Sequence, residues 1–146
     1  MQLYSEILLN KLKTVRQEIK PTFDALFIGK ENEIRTMIRN RWTLGKKPDG
    51  TRIGVYRDSE YQEYKYFKNP FAGGEVDLID SGDLWRGIEI FNQSDGIEIF
   101  STDWKFDKIA EKYGDENFNL TPIETELLID EIQTLTLELI YKKYVL

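Results

Sequence analysis

The sequence predicts an α+β fold in which a small antiparallel sheet, built on a central hairpin, packs against helices from both ends of the chain. Apolar residues recur at helical spacing near both termini, whereas residues 84–101 alternate in polarity around a turn dipeptide. A stretch rich in Gly, Pro and Asp lies between, and indicates a long central loop. The length of 146 residues suits a single domain, 1–146. We divide it into N-terminal helices (1–43), a loop region (44–83), a hairpin with a short helix (84–118) and a C-terminal helix (121–144).

Two helices are predicted in the N-terminal part. The first has an apolar stripe at intervals of three and four residues, made of Tyr4, Leu8, Leu12, Val15 and Ile19. We expect Pro21 to end it, because proline lacks an amide hydrogen and disfavours helical geometry at the residue before it. The apolar segment 23–29 fits either a helical turn or a strand. The second helix is predicted from Lys30 to about Trp42.

The central region holds a loop and an aromatic stretch. Residues 45–54 concentrate turn-forming Gly, Pro and Asp. Residues 55–71 interleave aromatic and charged side chains, for which we expect irregular structure with a short helical piece. Aromatic rings beside lysines can stack the bases of a single strand, but Asp58, Glu60 and Glu63 oppose that use. We therefore favour a packed or protein-binding loop, since tyrosine buries a large ring while its hydroxyl stays hydrogen-bonded.

A hairpin is the clearest β signal. Its strands are predicted at 84–92 and 96–101, with the turn dipeptide Asp95-Gly96 between them. Ile88 and Ile90 alternate with Glu89, and the second strand repeats the pattern. One face should therefore be apolar and lie against a helix, and the other should be acidic.

Two further helices are expected after the hairpin. Residues 103–113 form a short one that ends at Gly114, with Trp104, Ile109 and Ala110 as packing contacts. The sequence from Thr121 to Glu124 is a capping box that begins a helix running to about Tyr144. Its apolar face consists of Leu128, Ile132, Leu135 and Leu139. Additional apolar positions widen that face enough for a second partner.

Composition excludes several kinds of chemistry. The chain has no cysteine and no histidine, so disulfides, thiolate catalysis, histidine general bases and the usual zinc ligands are absent. No apolar run is long enough to span a membrane and we see no secretory leader, so neither secretion nor membrane insertion is expected. The net charge of −6 disfavours binding to duplex DNA.

The charge is unevenly distributed along the sequence. Residues 1–50 carry ten basic and six acidic side chains, whereas residues 51–146 carry ten basic and twenty acidic ones. Opposed charges would suit head-to-tail association of identical subunits. The alternative is an ordinary solvated surface.

The central carboxylates allow three interpretations. Asp77, Asp80 and Asp83 can be turn and cap residues or ligands of calcium or magnesium. A paired-acid hydrolase site could draw on the wider group of central carboxylates, which comprises Asp77, Asp80, Asp83, Glu89, Asp95, Glu98, Asp103 and Asp107. The first interpretation is favoured, because the spacing of the three aspartates does not match an EF-hand loop. The segment GKKPDG lacks the spacing of a phosphate-binding loop, so no nucleotide site is expected.

A two-part pattern in the middle of the chain points to a family. Its first part comprises Gly45, Asp49, Gly50, Ile53 and Tyr56, and its second comprises Val76, Asp77, Leu78, Asp80, Ser81, Gly82, Asp83 and Leu84. From about Ile34 onward the chain resembles the small virion proteins of tailed bacteriophages, namely the Mu-like virion morphogenesis or tail-completion group, especially versions from phages of Bacteroidetes. Ser81 stands where threonine is more usual. The resemblance implies a structural protein with no catalytic residue and no cofactor.

The same resemblance implies where the protein works. Its copies would form a ring at the head-to-tail junction or tail end of the virion, assembled in the host cytoplasm, and would dock onto portal, connector or tail proteins while genome DNA passes through the lumen without specific binding. We expect subunit or partner contacts at Lys46, Lys47, Asp49, Tyr56, Tyr61, Tyr64, Tyr66, Phe67, Phe71, Asp77, Asp80 and Asp83. The alternative is a cytoplasmic immunity or adaptor protein that binds a basic partner through its acidic surplus.

Overall fold

The fold is α+β, as predicted, and a computed structural model describes residues 2–93 and 96–145. The helices in this part of the chain are α1 (Gln2–Ile28), α2 (Glu31–Thr43), α3 (Ser59–Lys68), α4 (Asp83–Arg86), α5 (Phe106–Tyr113) and α6 (Pro122–Tyr144). Strands β1 (Ile88–Gln93) and β2 (Gly96–Ser101) form an antiparallel sheet. Short three-ten helices occupy Pro70–Ala72 and Asp115–Phe118.

The chain divides into two compact units, residues 1–30 with 126–146 and residues 31–125. In the first unit, α1 and the part of α6 that belongs to it run antiparallel. Two ion pairs mark their register, because Lys30 lies 2.7 Å from Glu131 and Lys143 lies 2.8 Å from Glu18. Among the side chains of this unit that the structure describes, the buried ones are Phe27, Leu128, Ile132, Thr136 and Ile140. The single domain inferred from chain length stays a prediction.

The first helix does not end at Pro21, which corrects the sequence-based prediction. Helix α1 continues through the proline to Ile28. The segment 23–29, whose sequence fitted either a helical turn or a strand, is therefore helical as far as Ile28. The Lys20 ammonium lies 2.6 Å from the Asp24 carboxylate, and this pair bridges the proline along the helix surface. Such an exposed pair contributes only about 0.3–0.5 kcal/mol, so most of the cost of the proline is offset by packing elsewhere along the helix.

Helix α2 supplies the centre of the second unit, and its prediction is confirmed to within a residue. Ile34, Ile38 and Trp42 are fully buried on one face. The Trp42 ring meets Phe118 edge-on at 5.4 Å, and its indole nitrogen donates a hydrogen bond to the Asn117 carbonyl.

The hairpin is confirmed, although its first strand begins later than predicted. Residues 84–86 belong to α4 rather than to a strand, because Gly82 in left-handed geometry begins a helical turn and Gly87 ends it. Ile90 pairs with Ile99, and both strands place apolar side chains on the face that holds buried Ile88. Asp95 of the predicted turn lies outside the described residues.

The outer face of the hairpin is not purely acidic. Glu89 lies opposite Phe100, and Phe91 lies opposite Glu98, so aromatic and acidic side chains alternate across the two strands. Phe91 is exposed. This face is therefore mixed, because the period-two pattern that turns the isoleucines inward also turns both phenylalanines outward.

The C-terminal helices follow the prediction with three corrections. Helix α5 begins at Phe106 rather than at residue 103, and it ends at Tyr113 with Gly114 as its C-cap, as expected. Trp104 is 77% exposed and is not a packing contact. The capping box is confirmed, since the Glu124 amide donates to the Thr121 hydroxyl at 3.1 Å and the Thr121 amide to the Glu124 carboxylate at 2.8 Å. In α6 the buried stripe ends on Ile140, and Leu139 is exposed.

The predicted loop region, 44–83, contains regular structure. The expected helical piece is α3, whose first turn is capped by the Asp58 side chain. Glycines with positive φ at 73, 74 and 82 then redirect the chain toward α4. A search of the described helices finds none with the length and apolar character that crossing a membrane requires.

Candidate protein-binding site

The two parts of the sequence pattern lie side by side in the second unit. The Ile53 amide donates to the Gly45 carbonyl at 3.0 Å, and the Val76 amide donates to the Gly54 carbonyl at 3.1 Å. Gly45 has a φ of 68°, and a Cβ placed there would lie 3.2 Å from the Val76 carbonyl oxygen. The spacing of the pattern therefore builds a loop scaffold, and these contacts explain why Gly45 is a glycine.

A buried ion pair joins this scaffold to α3. The Lys65 ammonium lies 2.8 Å from the Asp77 carboxylate and also donates to the Ile79 carbonyl at 2.6 Å. The carboxylate accepts further hydrogen bonds from the Ile79 amide and the Asn69 side chain. Asp77 is 1% exposed. This corrects the expectation that Asp77 contacts a partner, because its oxygens are already used inside the chain.

Tyr56 lies half-buried above this pair. Its ring meets Tyr61 edge-on at 4.9 Å, and Tyr61 in turn contacts Tyr64 at 5.8 Å. Burial, and then the negative charge of Asp77, raise the pKa of the Tyr56 hydroxyl well above its ordinary value. At neutral pH the phenol is therefore protonated, and it is unsuited to act as a general base.

A cavity of about 190 Å³ adjoins the ion pair and is lined in part by Tyr56, Tyr61 and Tyr113. The two buried charges in its lining, Lys65 and Asp77, neutralise each other. Paired in this way, neither group is arranged as a nucleophile or as a proton donor.

The other central carboxylates are exposed and do not converge. Asp83 lies 3.1 Å from Arg86 in an ion pair that is open to solvent, and Asp80 is exposed. Among residues 2–93 and 96–145, no three side chains of the types His, Cys, Asp and Glu group closely enough to hold a metal ion. Asp77, Asp80 and Asp83 do not form such a group, and Asp77 is already paired with Lys65.

The loop residues predicted as contacts are partly engaged within the chain. Lys47 lies 3.2 Å from Glu116, and Asp49 accepts hydrogen bonds from the amide and the hydroxyl of Thr51. These Thr51 hydrogen bonds lower the pKa of the Asp49 carboxyl. Lys46 is exposed beside the turn and remains open to a partner. Lys47 and Asp49 mainly hold the loop in shape.

The predicted aromatic contacts, by contrast, lie on the surface. Phe67 is 87% exposed and Phe71 is 74% exposed, and Tyr64 and Tyr66 are exposed as well. Three of these residues lie on α3 and Phe71 lies in the three-ten helix that follows it; for brevity we call the four together the α3 aromatic face, although their side chains do not all point the same way. Lys68 lies over the Tyr64 ring at 5.6 Å. Lys65 is the buried residue of α3. Tyr64, Tyr66 and Phe67 lie one or two positions from it in sequence, so their side chains point to other sides of the helix.

A second exposed aromatic pair was not anticipated from the sequence. Phe91 on β1 and Trp104 before α5 line a groove of about 630 Å³, together with Phe100 and Phe106. The charged residues that line it are Glu98, Asp103 and Asp107. The alternation of the hairpin already implied that Phe91 points outward, whereas no sequence signal distinguished an exposed Trp104 from a buried one.

The charge asymmetry of the sequence is redistributed in the fold. The unit made of residues 1–30 and 126–146 carries seven basic and seven acidic side chains, so its charges balance. Residues 31–125 carry thirteen basic and nineteen acidic ones, which is the whole net charge of −6. The compact units therefore group the charges differently from the two sequence halves, and charge complementarity must be sought among individual surfaces.

Comparison with known proteins finds no match, either to a family model, to a curated protein or to a solved structure. The phage resemblance therefore depends on the two-part sequence pattern alone.

Proposed function

We propose that this protein is a non-enzymatic structural component of a tailed-phage virion, a subunit of a ring at the neck or tail end that docks onto portal, connector or tail proteins. The observation that carries the proposal is the α3 aromatic face, on which Phe67 and Phe71 are largely exposed. Exposed aromatic clusters are typical of protein–protein interfaces. The two-part sequence pattern supports the choice of a virion protein.

The chemistry of the centre supports a role in contact rather than catalysis. The buried carboxylate is paired with Lys65, and the phenol of Tyr56 stays protonated at neutral pH. The residues of the family pattern hold a loop against α3. The Lys65–Asp77 pair fixes that loop to α3, the helix that carries Tyr64, Tyr66 and Phe67, and a pre-ordered surface reduces the entropy lost when a partner binds.

The proposal is tested on purified phage particles and on the purified protein. We expect mass spectrometry to detect the chain in mature particles, and sedimentation to show association that the double variant Phe67→Ser, Phe71→Ser weakens at least about tenfold. Tyr141→Ser is the matched control, because Tyr141 is an exposed aromatic on α6 and belongs to the other compact unit. Its self-association should equal that of the wild type.

Three results would contradict the proposed function. Absence from mature particles would contradict the proposal. A protein that stays monomeric and captures one basic partner would instead be an immunity or adaptor protein. Hydrolysis of a substrate that is lost in Asp80→Asn, Asp83→Asn would mean an enzyme.

A further inference from the structure

Two grooves in the unit of residues 31–125 carry exposed aromatic residues and differ in charge. The first, here the basic groove, has a volume of about 330 Å³ and is lined in part by Arg39, Lys68 and Phe71. The second, here the acidic groove, is the one beside Phe91 and Trp104. Both belong to the same compact unit, so each copy of the chain carries both grooves.

The exposed charges of the basic groove are mainly positive. Arg39 and Lys68 are exposed, and Asp80 is the exposed carboxylate among the described residues that line it. Its other two charged residues, Lys65 and Asp77, are buried and neutralise each other. The groove therefore presents two cations and one anion to a partner.

The acidic groove presents the opposite charge. Three carboxylates line it, those of Glu98, Asp103 and Asp107. The Lys105 and Lys108 ammonium groups lie 6.0 and 5.8 Å from the centre of the Trp104 ring and reduce the negative charge beside it, but neither lysine lines the groove. Opposite potentials on two aromatic surfaces favour contact between them and disfavour contact of either with itself.

We propose that the basic groove of one copy binds the acidic groove of the next, so that the contact is head-to-tail. The occupant of each groove is thus a second copy of this chain, with Phe71 and Trp104 as the aromatic anchors and with Lys68 and Asp107 as a charge pair across the contact. Because the two surfaces differ, the contact repeats and generates a ring or a filament rather than a closed two-fold dimer. This inference rests on the proposed function and names the surfaces through which its subunits join.

Charge reversal on the full-length chain tests the contact. Lys68→Glu makes the basic groove negative, and Asp107→Lys makes the acidic groove less negative, so each variant alone should associate at least about tenfold more weakly than the wild type. Mixed in equal amounts, the two variants should associate with an affinity within about threefold of that of the wild type. In an assembly where the two variants alternate, every contact then joins opposite charges. The double variant Lys68→Glu, Asp107→Lys should recover it as well.

Matched controls and a direct readout complete the design. Lys13→Glu and Asp130→Lys make the same charge changes on exposed positions of α1 and α6, and should leave association unchanged. A carbodiimide, which couples an amine directly to a carboxylate, should join Lys68 to Asp107 between isotopically labelled and unlabelled copies. Circular dichroism checks that each variant is folded.

Several results would overturn the contact. These are reversals that leave association unchanged, a mixture that does not recover, and a wild-type chain that stays monomeric up to about 1 mM, which is the range of weak contacts. Detection of the chain in particles together with any of these would reject this contact and leave the proposed function standing. Absence from particles would reject the proposed function itself.

Discussion

Asp77 and Lys65 carry opposite charges at a place where both are almost wholly removed from solvent. Each charge stabilises the fold only in the presence of the other, since either one alone would be a buried charge without a partner. The same pair ties the loop that follows Val76 to α3, and so holds the base of the α3 aromatic face. A residue that the sequence suggested as a partner contact is therefore a positioning residue.

Replacing Asp77 by alanine should lower the free energy of unfolding by about 3–5 kcal/mol, because Lys65 is left unpaired in the interior. Urea unfolding measures the loss. Asp83→Ala is the control, since its ion pair with Arg86 is open to solvent and should contribute less than about 0.5 kcal/mol. The double variant Lys65→Met, Asp77→Leu should recover most of the loss, and a double variant no more stable than Asp77→Ala would contradict this account.

Tyr56 should make stability depend on pH in the alkaline range. Its pKa is raised in the folded state above the ordinary value of 10.0, so the folded chain holds the proton more tightly than the unfolded chain. The contribution of Tyr56 to the free energy of unfolding is therefore fully present below about pH 10 and is lost as the pH rises above that value. Comparing urea unfolding of the wild type and Tyr56→Phe between pH 8 and about pH 11 isolates it, and a difference between the two that stays constant with pH would refute the assignment.

At the scale of elements, the helix that runs through Pro21 differs most from what the sequence suggested. The rule that proline ends a helix describes a local cost of about 3 kcal/mol, and contacts elsewhere along the element can exceed it. Helix α1 has such contacts on the C-terminal side of the proline, where Phe23 and Phe27 pack at 6.3 Å and Phe27 is buried.

Pro21→Ala should therefore raise the free energy of unfolding by about 1–3 kcal/mol while leaving the helical content unchanged. Circular dichroism at the helix band and urea unfolding measure the two quantities. Asn10→Ala, at an exposed position of the same helix, should change stability by only a few tenths of a kcal/mol. A marked gain of helical signal in Pro21→Ala would mean that the proline does end the helix.

Elements with strong local signals were predictable, and those set by distant contacts were not. The capping box at Thr121 and the alternation of the hairpin are local patterns, and both are confirmed. The sequence places the residues of α4 in a strand, because a helix of four residues is too short to show helical periodicity. Only the flanking Gly82 and Gly87 mark its ends. Its Trp85 also donates to the Arg35 carbonyl, a contact fifty residues away in sequence.

At the scale of the whole molecule, the two compact units raise the question of independent folding. Residues 31–125 contain Ile34, Ile38, Trp42 and Phe118, all buried, together with both strands of the hairpin. A fragment of residues 31–125 should therefore unfold cooperatively in urea, with the shift in tryptophan fluorescence expected when a buried indole such as that of Trp42 becomes exposed. Phe118→Ala in the fragment, which removes a ring in contact with Trp42, should abolish the transition. A fragment without a transition would support the single domain inferred from chain length.

The sequence by itself determined the α+β class, the hairpin, the capped C-terminal helix and the absence of cysteine and histidine chemistry, because each depends on composition or on spacing within a few residues. Only the tertiary structure decided which charges and rings are free. Asp77 looked like Asp80 in the sequence, yet one is buried against Lys65 and the other is exposed. The same holds for Trp42 and Trp104. Burial depends on the residues that the rest of the chain packs around a side chain, and a local sequence pattern does not contain information on those distant contacts.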